Sequence, residues 1–475
     1  MMPMWRPVSV VNKTVTNSLG DGLNLGVPPF DIKESELTYV SNMDSHEYPA
    51  ITTRYDRTNF STALSALSAP NGIGERANTY LHVVDGKNWQ YWNPTSTALA
   101  TLSTSLTATA QAEIMDFNTG SVRYTILMNS TQAKYWTSTG STALNLGDAS
   151  MPYTNIFTVH KGRIYAAKGA TVYYCALNSV NDWTTSNDAG NITIARAKGD
   201  ITGICEYNDK VIAFTEYSMH ELYGSSPSNF ELIDVEGNIG CVSNRSIIKA
   251  NKKLYWAWVD GIYEYNGGTP LKISQPVNTY IKGILYSRLN LIAAGSNGDF
   301  IYFAIPYANT TNNMLLMYDT RIGKWYTETG SFKDFTLIGN SLYGLTLGGE
   351  VVNMRNTNTG KDNSTSISWS FITKPYITGS GNTAETLWDI SVLYKGSSDA
   401  TMNVYYSTHA SNNDSTSFNS IAVSSDFDLD NSEHVERLLI PSTVLQNEPF
   451  FRLKFDGTDD VTVYRIERTF RTKRR

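Results

Sequence analysis

The chain has 475 residues, 41% of them hydrophobic and 12% aromatic, which excludes a disordered polypeptide and exceeds what one ordinary core holds. Only 17% are charged, and the formal net charge of -6 excludes a surface built to wrap duplex DNA, which needs many cationic phosphate contacts. Three scattered cysteines, Cys175, Cys205 and Cys241, make neither a disulfide framework nor a zinc site and read as buried thiols in a reducing compartment.

Residues 1–50 are rich in Pro, Asn and Gly and lack periodicity, so they are expected to form an extended N-terminal arm. No signal-peptide pattern starts the chain, and no apolar window reaches the ~20 residues of a membrane helix, so no membrane span is expected. From residue 80 a unit recurs: a β-branched or aromatic run, a turn of Gly, Asn, Asp or Ser, and a second aromatic run. It appears at Tyr80–Trp92, Tyr124–Trp136, Arg163–Tyr174, Val211–Tyr223, Leu254–Tyr265, Phe300–Tyr318 and Leu342–Val352. The landmarks Tyr80, Tyr124, Tyr165, Val211, Tyr255, Tyr302 and Tyr343 repeat about every 44 residues, the period of a β-propeller. A four-stranded sheet cannot bury both faces alone, so even spacing implies blades stacked in a ring. Seven landmarks predict seven blades over residues 51–356, with six or eight as alternatives. Segment Asn278–Asn290 has apolar residues at helical spacing and predicts a short surface helix between two blades.

The polar stretch Asn356–Ser366 marks a boundary. Beyond it, alternating strands are predicted at Ile367–Thr373, Leu387–Tyr394, Thr401–Ser407, His434–Ile440, Phe450–Phe455 and Val461–Phe470. They imply a C-terminal β-sandwich-like domain over residues 357–475, ending in a basic tail. The fold class is therefore all-β, a propeller followed by a sandwich.

Motifs for chemistry are sparse. Gly72-Ile-Gly74-Glu-Arg-Ala77 matches a dinucleotide fingerprint but precedes a strand rather than a helix, so it reads as a loop. Asp426-Phe-Asp428-Leu-Asp430 lacks the glycine and glutamate of a calcium loop. Ser186-Asn-Asp188-Ala-Gly190 is a single imperfect Asp box, in which Asp188 is expected to accept backbone N–H bonds of its own turn. The six histidines show neither zinc spacing nor an obvious nucleophile partner. No catalytic residue, metal or cofactor is expected, and the chain reads as a non-enzyme. Gly261 is expected at a turn with positive φ. Arg465, Arg468, Arg471, Lys473, Arg474 and Arg475 form a basic cluster against one acid, Glu467. They suit docking to an acidic partner, contact with phosphate, or a solubilising tail.

The runs Asn238-Ile-Gly-Cys-Val-Ser-Asn-Arg-Ser246, Leu254-Tyr-Trp256, Gly261-Ile-Tyr-Glu-Tyr-Asn-Gly-Gly268 and Lys272-Ile-Ser274 resemble blades of bacteriophage tail propellers. So do Asn181-Asp-Trp183, Asp188-Ala-Gly190 and Tyr318-Asp-Thr-Arg-Ile-Gly-Lys-Trp325. The group is the tail hub and nozzle, or packaged-DNA stabilisation, proteins of short-tailed phages. The likeness covers roughly residues 150–355 and, more thinly, the C-terminal region. It implies a virion structural protein in a homo-oligomeric ring, a hexamer in this family, below the portal and adaptor proteins. Such a ring extends the DNA exit channel, helps retain the genome without reading its sequence, and offers attachment to tail fibres, spikes or a needle. Its location would be the virion, after assembly in host cytoplasm. The rival readings are a propeller-type interaction scaffold and a carbohydrate-active enzyme. The enzyme would need carboxylates clustered at one mouth of the propeller axis.

Overall fold

The computed structural model describes residues 11–146, 148–184, 188–377, 383–408, 418–439 and 450–474. The chain forms two compact units. One comprises Thr58–Arg321 and Gly330–Arg355; the other comprises Met1–Arg57, Ile322–Thr329 and Asn356–Arg475.

The first unit is a seven-bladed β-propeller. Its blades begin with the strands Pro70–Arg76, Ala112–Asn118, Phe157–His160, Ile201–Tyr207, Ile248–Ala250, Ala293–Ser296 and Phe332–Ile338. Each packs beside the first strand of the next blade, except that between blades 4 and 5 the 3-10 turn Asn244–Ser246 makes the contact, and the seventh returns to the first, closing a ring about an axis. The hairpins legible in the sequence are the two middle strands of each blade, such as Tyr80–Asp85 with Asn88–Asn93, and Lys253–Trp258 with Gly261–Tyr265. The ring is locked by a strand from the unit's start. Thr58–Asn59 pairs with Val351–Asn353, completing the seventh blade. The propeller therefore begins at residue 58 rather than 51.

The interfaces of blades 1 to 5 with one another, and of blade 7 with blade 1, are separate apolar cores, which is why an isolated blade would be unstable. Trp89, Leu102 and Val84 of blade 1 meet Ala112, Leu127 and Trp136 of blade 2. Leu81 and Val83 meet Leu345 and Val351 across the closure. The run Gly72–Ala77, expected as a loop, is instead mostly the first strand of blade 1. Its glycines serve close packing. A Cβ on Gly72 would lie 2.3 Å from the Ala112 carbonyl oxygen, and one on Gly74 would lie 2.5 Å from Cβ of Ile114. Gly261 lies outside the left-handed region and opens a strand, where Ser274 and Lys272 crowd it. Between blades 5 and 6 the expected helix appears as a short α-helix, Asn278–Lys282, then a 3-10 turn, Tyr286–Leu291.

The second unit holds two six-stranded antiparallel sheets. The spine of one is a pair of 14-residue strands, Thr383–Gly396 and Val461–Arg474. Residues 1–50 are not an extended arm among the described residues. Val11–Asn17 pairs with the C-terminal half of Val461–Arg474, and Ile51–Thr53 pairs with its beginning. Leu37–Ser41 pairs with Ser368–Thr373 in the other sheet. The arm's sparse β-branched residues sufficed because partner strands supply the apolar face. Ile390, Val392, Ile466 and Phe470 are buried on one sheet, and Phe371, Val404, Leu453 and Phe455 on the other, the inward faces of a sandwich.

Candidate functional site

Three constellations could bear function: the mouth of the propeller axis, a hydrogen-bonded line in blade 4, and the basic C-terminal strand.

The first strands of blades 1, 4 and 7 each carry an irregularity in register after their first residue, at Asn71, Thr202 and Lys333. A bulge re-aims the side chain it carries. The Lys333 Nζ donates to the Pro70 carbonyl at 2.5 Å, and Arg245 donates to the Lys333 carbonyl. Among these cations sit two carboxyl groups, Glu113 and Asp334. Burial, then the facing Asp334, pushes Glu113 well above the usual carboxylate range; Gln111 donates to it at 3.4 Å. Burial pushes Asp334 up to about 6, opposed by Arg245, by backbone N–H donors and by Lys333. Burial also lowers Lys333. The Glu113 residue as a whole is half-buried. The pair can hold a proton that isolated carboxylates would release at neutral pH. No group of three or more His, Cys, Asp or Glu could hold a metal among the described residues.

In blade 4, His220 Nε2 lies 2.8 Å from the Ser218 hydroxyl, and its Nδ1 lies 2.8 Å from an Asp234 carboxylate oxygen. The histidines were read as lacking a nucleophile partner, and here one has both. The signal was present: Ser218 and His220 are two residues apart on an extended segment, and Asp234 is the direct cross-strand partner of His220. The line has the connectivity of a nucleophile, a base and an orienting acid. Its surroundings are those of a structural network. Ser218 is buried and shares its hydroxyl with Thr215 Oγ1 at 2.6 Å, and that threonine donates to the Lys198 carbonyl.

The basic cluster is not a tail. Residues 465–474 are the middle and end of a strand, of which 466–472 are paired on both sides. Arg465 is exposed and meets Glu467 at 3.1 Å. Arg468 points inward. It is 3% exposed, donates to Asn17 at 2.6 Å and to Glu34, and stacks over the Tyr376 ring at 3.6 Å. A buried, paired guanidinium is not a docking cation. Arg471, Lys473 and Arg474 continue the strand's backbone, and Arg475 lies outside the described residues.

The remaining motifs are structural. Asp188 pairs with the buried Arg163; Ser186 and Asn187 lie outside the described residues. Asp426 accepts from the Val423 N–H while Asp430 meets His434, so these carboxylates serve different partners. The thiols of Cys175 and Cys241 are pushed up by burial to about 12 and about 11, and Cys205 is raised likewise.

No protein-family model and no curated protein matches the chain. Among solved structures it is similar to a streptogramin B lyase, at 13% identity and TM-score 0.43, over 63% of this chain and 96% of that one. It is also similar to a chain of a mitotic checkpoint complex, at 8% identity and TM-score 0.45, over 64% and 94%. A third is the extracellular domain of a hybrid two-component system from B. thetaiotaomicron, at 10% identity and TM-score 0.43. There the match spans 73% of this chain and 44% of that one.

Proposed function

We propose that the chain is a non-catalytic structural protein of a phage tail. It would be a ring-forming hub or nozzle subunit below the portal and adaptor, extending the DNA exit channel and carrying fibres, spikes or a needle. The observation that carries the reading is what the resembling motifs do in the fold. Trp256 donates from Nε1 to the Gly240 carbonyl, and the Cys241 N–H donates to the Thr215 carbonyl. Trp183 donates from Nε1 to the Val180 carbonyl and from its backbone N–H to the Asp148 carboxylate. The residues that carry the likeness are spent on fastening turns and blades, which is the work of a scaffold. Electron microscopy and native mass spectrometry of the purified chain test this. A ring with a DNA-wide bore is expected; a monomer at micromolar concentration that does not join portal complexes would reject it.

A second reading, glycoside hydrolysis at the axial mouth, is favoured by the Glu113 and Asp334 pair, because such chemistry needs two carboxyl groups, one of them protonated. It requires turnover of glycosides that Glu113→Gln abolishes while the fold stands.

A further inference from the structure

The propeller carries an exposed aromatic patch that neither reading uses. Tyr286 is 68% exposed, its neighbour Leu285 54%, and Tyr217 40%. Exposed apolar residues scattered singly need no explanation, but these cluster. The Tyr217 and Tyr286 hydroxyls meet at 3.1 Å, and the Tyr217 ring stands edge-on to Trp258, at 6.4 Å and 81°. The three rings come from three separate segments. Trp258 is anchored by Nε1, which donates to the Glu216 carbonyl at 2.8 Å. Beside them opens a cavity of about 250 Å³, with Glu216 and Tyr286 among its walls. Glu216 makes no ion pair among the described residues. The site is thus a fixed aromatic rim with one uncompensated carboxylate.

That chemistry selects an extended segment of apolar and proline residues with a single cation. Proline segments dock on aromatic-lined grooves because their backbone is pre-ordered and loses little entropy. The chain contains a segment of that composition outside its described residues, Met1-Met-Pro-Met-Trp-Arg-Pro-Val8, where Arg6 is the one charged side chain among prolines, methionines and a tryptophan. We propose that the cavity walled by Glu216 and Tyr286, with the Tyr217 and Trp258 rings beside it, is a groove that receives residues 1–8 of a second copy, with Arg6 against Glu216. The choice of a second copy as source rests on the proposed ring; the fit of segment to groove does not.

The test uses the full chain lacking residues 1–10, titrated with a synthetic peptide of those ten residues. Saturable binding is expected, weakened roughly 10-fold or more by Tyr286→Ala or by Glu216→Lys in the protein, and by Arg6→Glu in the peptide. Recovery by pairing Glu216→Lys with the Arg6→Glu peptide would fix the contact. Absence of binding, or binding indifferent to all three changes, overturns the groove. Native mass spectrometry then compares the full chain with the shortened one. If the full chain assembles and the shortened one falls to monomers, the second copy is the source. If both assemble equally, that source is wrong while the ring stands. If neither assembles, the ring reading itself fails.

Discussion

At the scale of single residues, two buried groups pull the pH dependence of stability in opposite directions. Asp334 has a folded-state value of about 6, raised by burial above the ~3.9 of an unfolded chain. The folded state therefore binds this proton more tightly, and the stability it contributes is present in acid and lost as pH rises through 6. Asp334→Asn should raise stability at pH 8 by about 1–3 kcal/mol and change it little at pH 4. Urea unfolding at both pH values checks this, and an equal difference at both would refute it. His82 behaves oppositely. Burial lowers it to about 3, it lies among Trp89, Tyr91 and Trp136, and neither ring nitrogen has a hydrogen-bond partner among the described residues. The unfolded chain takes up that proton below about 6.5, so the folded state loses ground as pH falls from there. His82→Phe should gain about 2 kcal/mol relative to the parent on going from pH 7 to pH 5. A difference that does not move with pH would mean the ring's protonation plays no part.

At the scale of elements, the C-terminal strand is the informative case. Deleting residues 465–475 removes ten residues of a strand hydrogen-bonded on both edges, so the sandwich should lose its cooperative unfolding rather than merely its charge. Point changes separate the two roles. Arg468→Ala should cost about 1–3 kcal/mol, because it takes a cation from the Tyr376 ring and from Asn17 and leaves Glu34 unpaired, a loss tempered by the exposure of Glu34. Arg465→Ala, on the exposed side, should stay within ~0.5 kcal/mol. Thermal melts of both variants decide it; equal losses would mean the strand's inward face is misassigned. The sequence disclosed that this run is a strand, since Val461, Val463, Ile466 and Phe470 are apolar. It hid which cations face inward. Alternation predicts which side Arg468 takes only once Ile466 is known to be core, and that depends on strands some 450 residues away. Gly72 and Gly74 misled for a related reason: two glycines look like a loop until the strand that presses against them is known.

At the scale of the molecule, the blades were legible because each is local. A hairpin and its turn lie within about 20 residues, and the ring only repeats it. The sandwich was legible in half, because its other strands come from the opposite end of the chain. Val11–Asn17, Leu37–Ser41, Met43–Asp44 and Ile51–Thr53 carry too little periodicity to announce themselves; three of them become strands by pairing with residues 368–373 and 461–472, and Met43–Asp44 by pairing with Thr52 and Thr53. That dependence makes a prediction. A fragment of residues 356–475, the domain that sequence alone would excise, lacks those strands and leaves the backbone edges of Val461–Arg474 and Ser368–Thr373 that they pair with open. It should aggregate or remain without cooperative unfolding. A permuted chain joining residues 356–475 by a flexible linker to residues 11–57 should recover dispersed amide resonances and a sharp melt. Should the short fragment fold by itself, the N-terminal strands would be ornaments on a self-sufficient sandwich, and pairing across the chain would not be what holds this unit together.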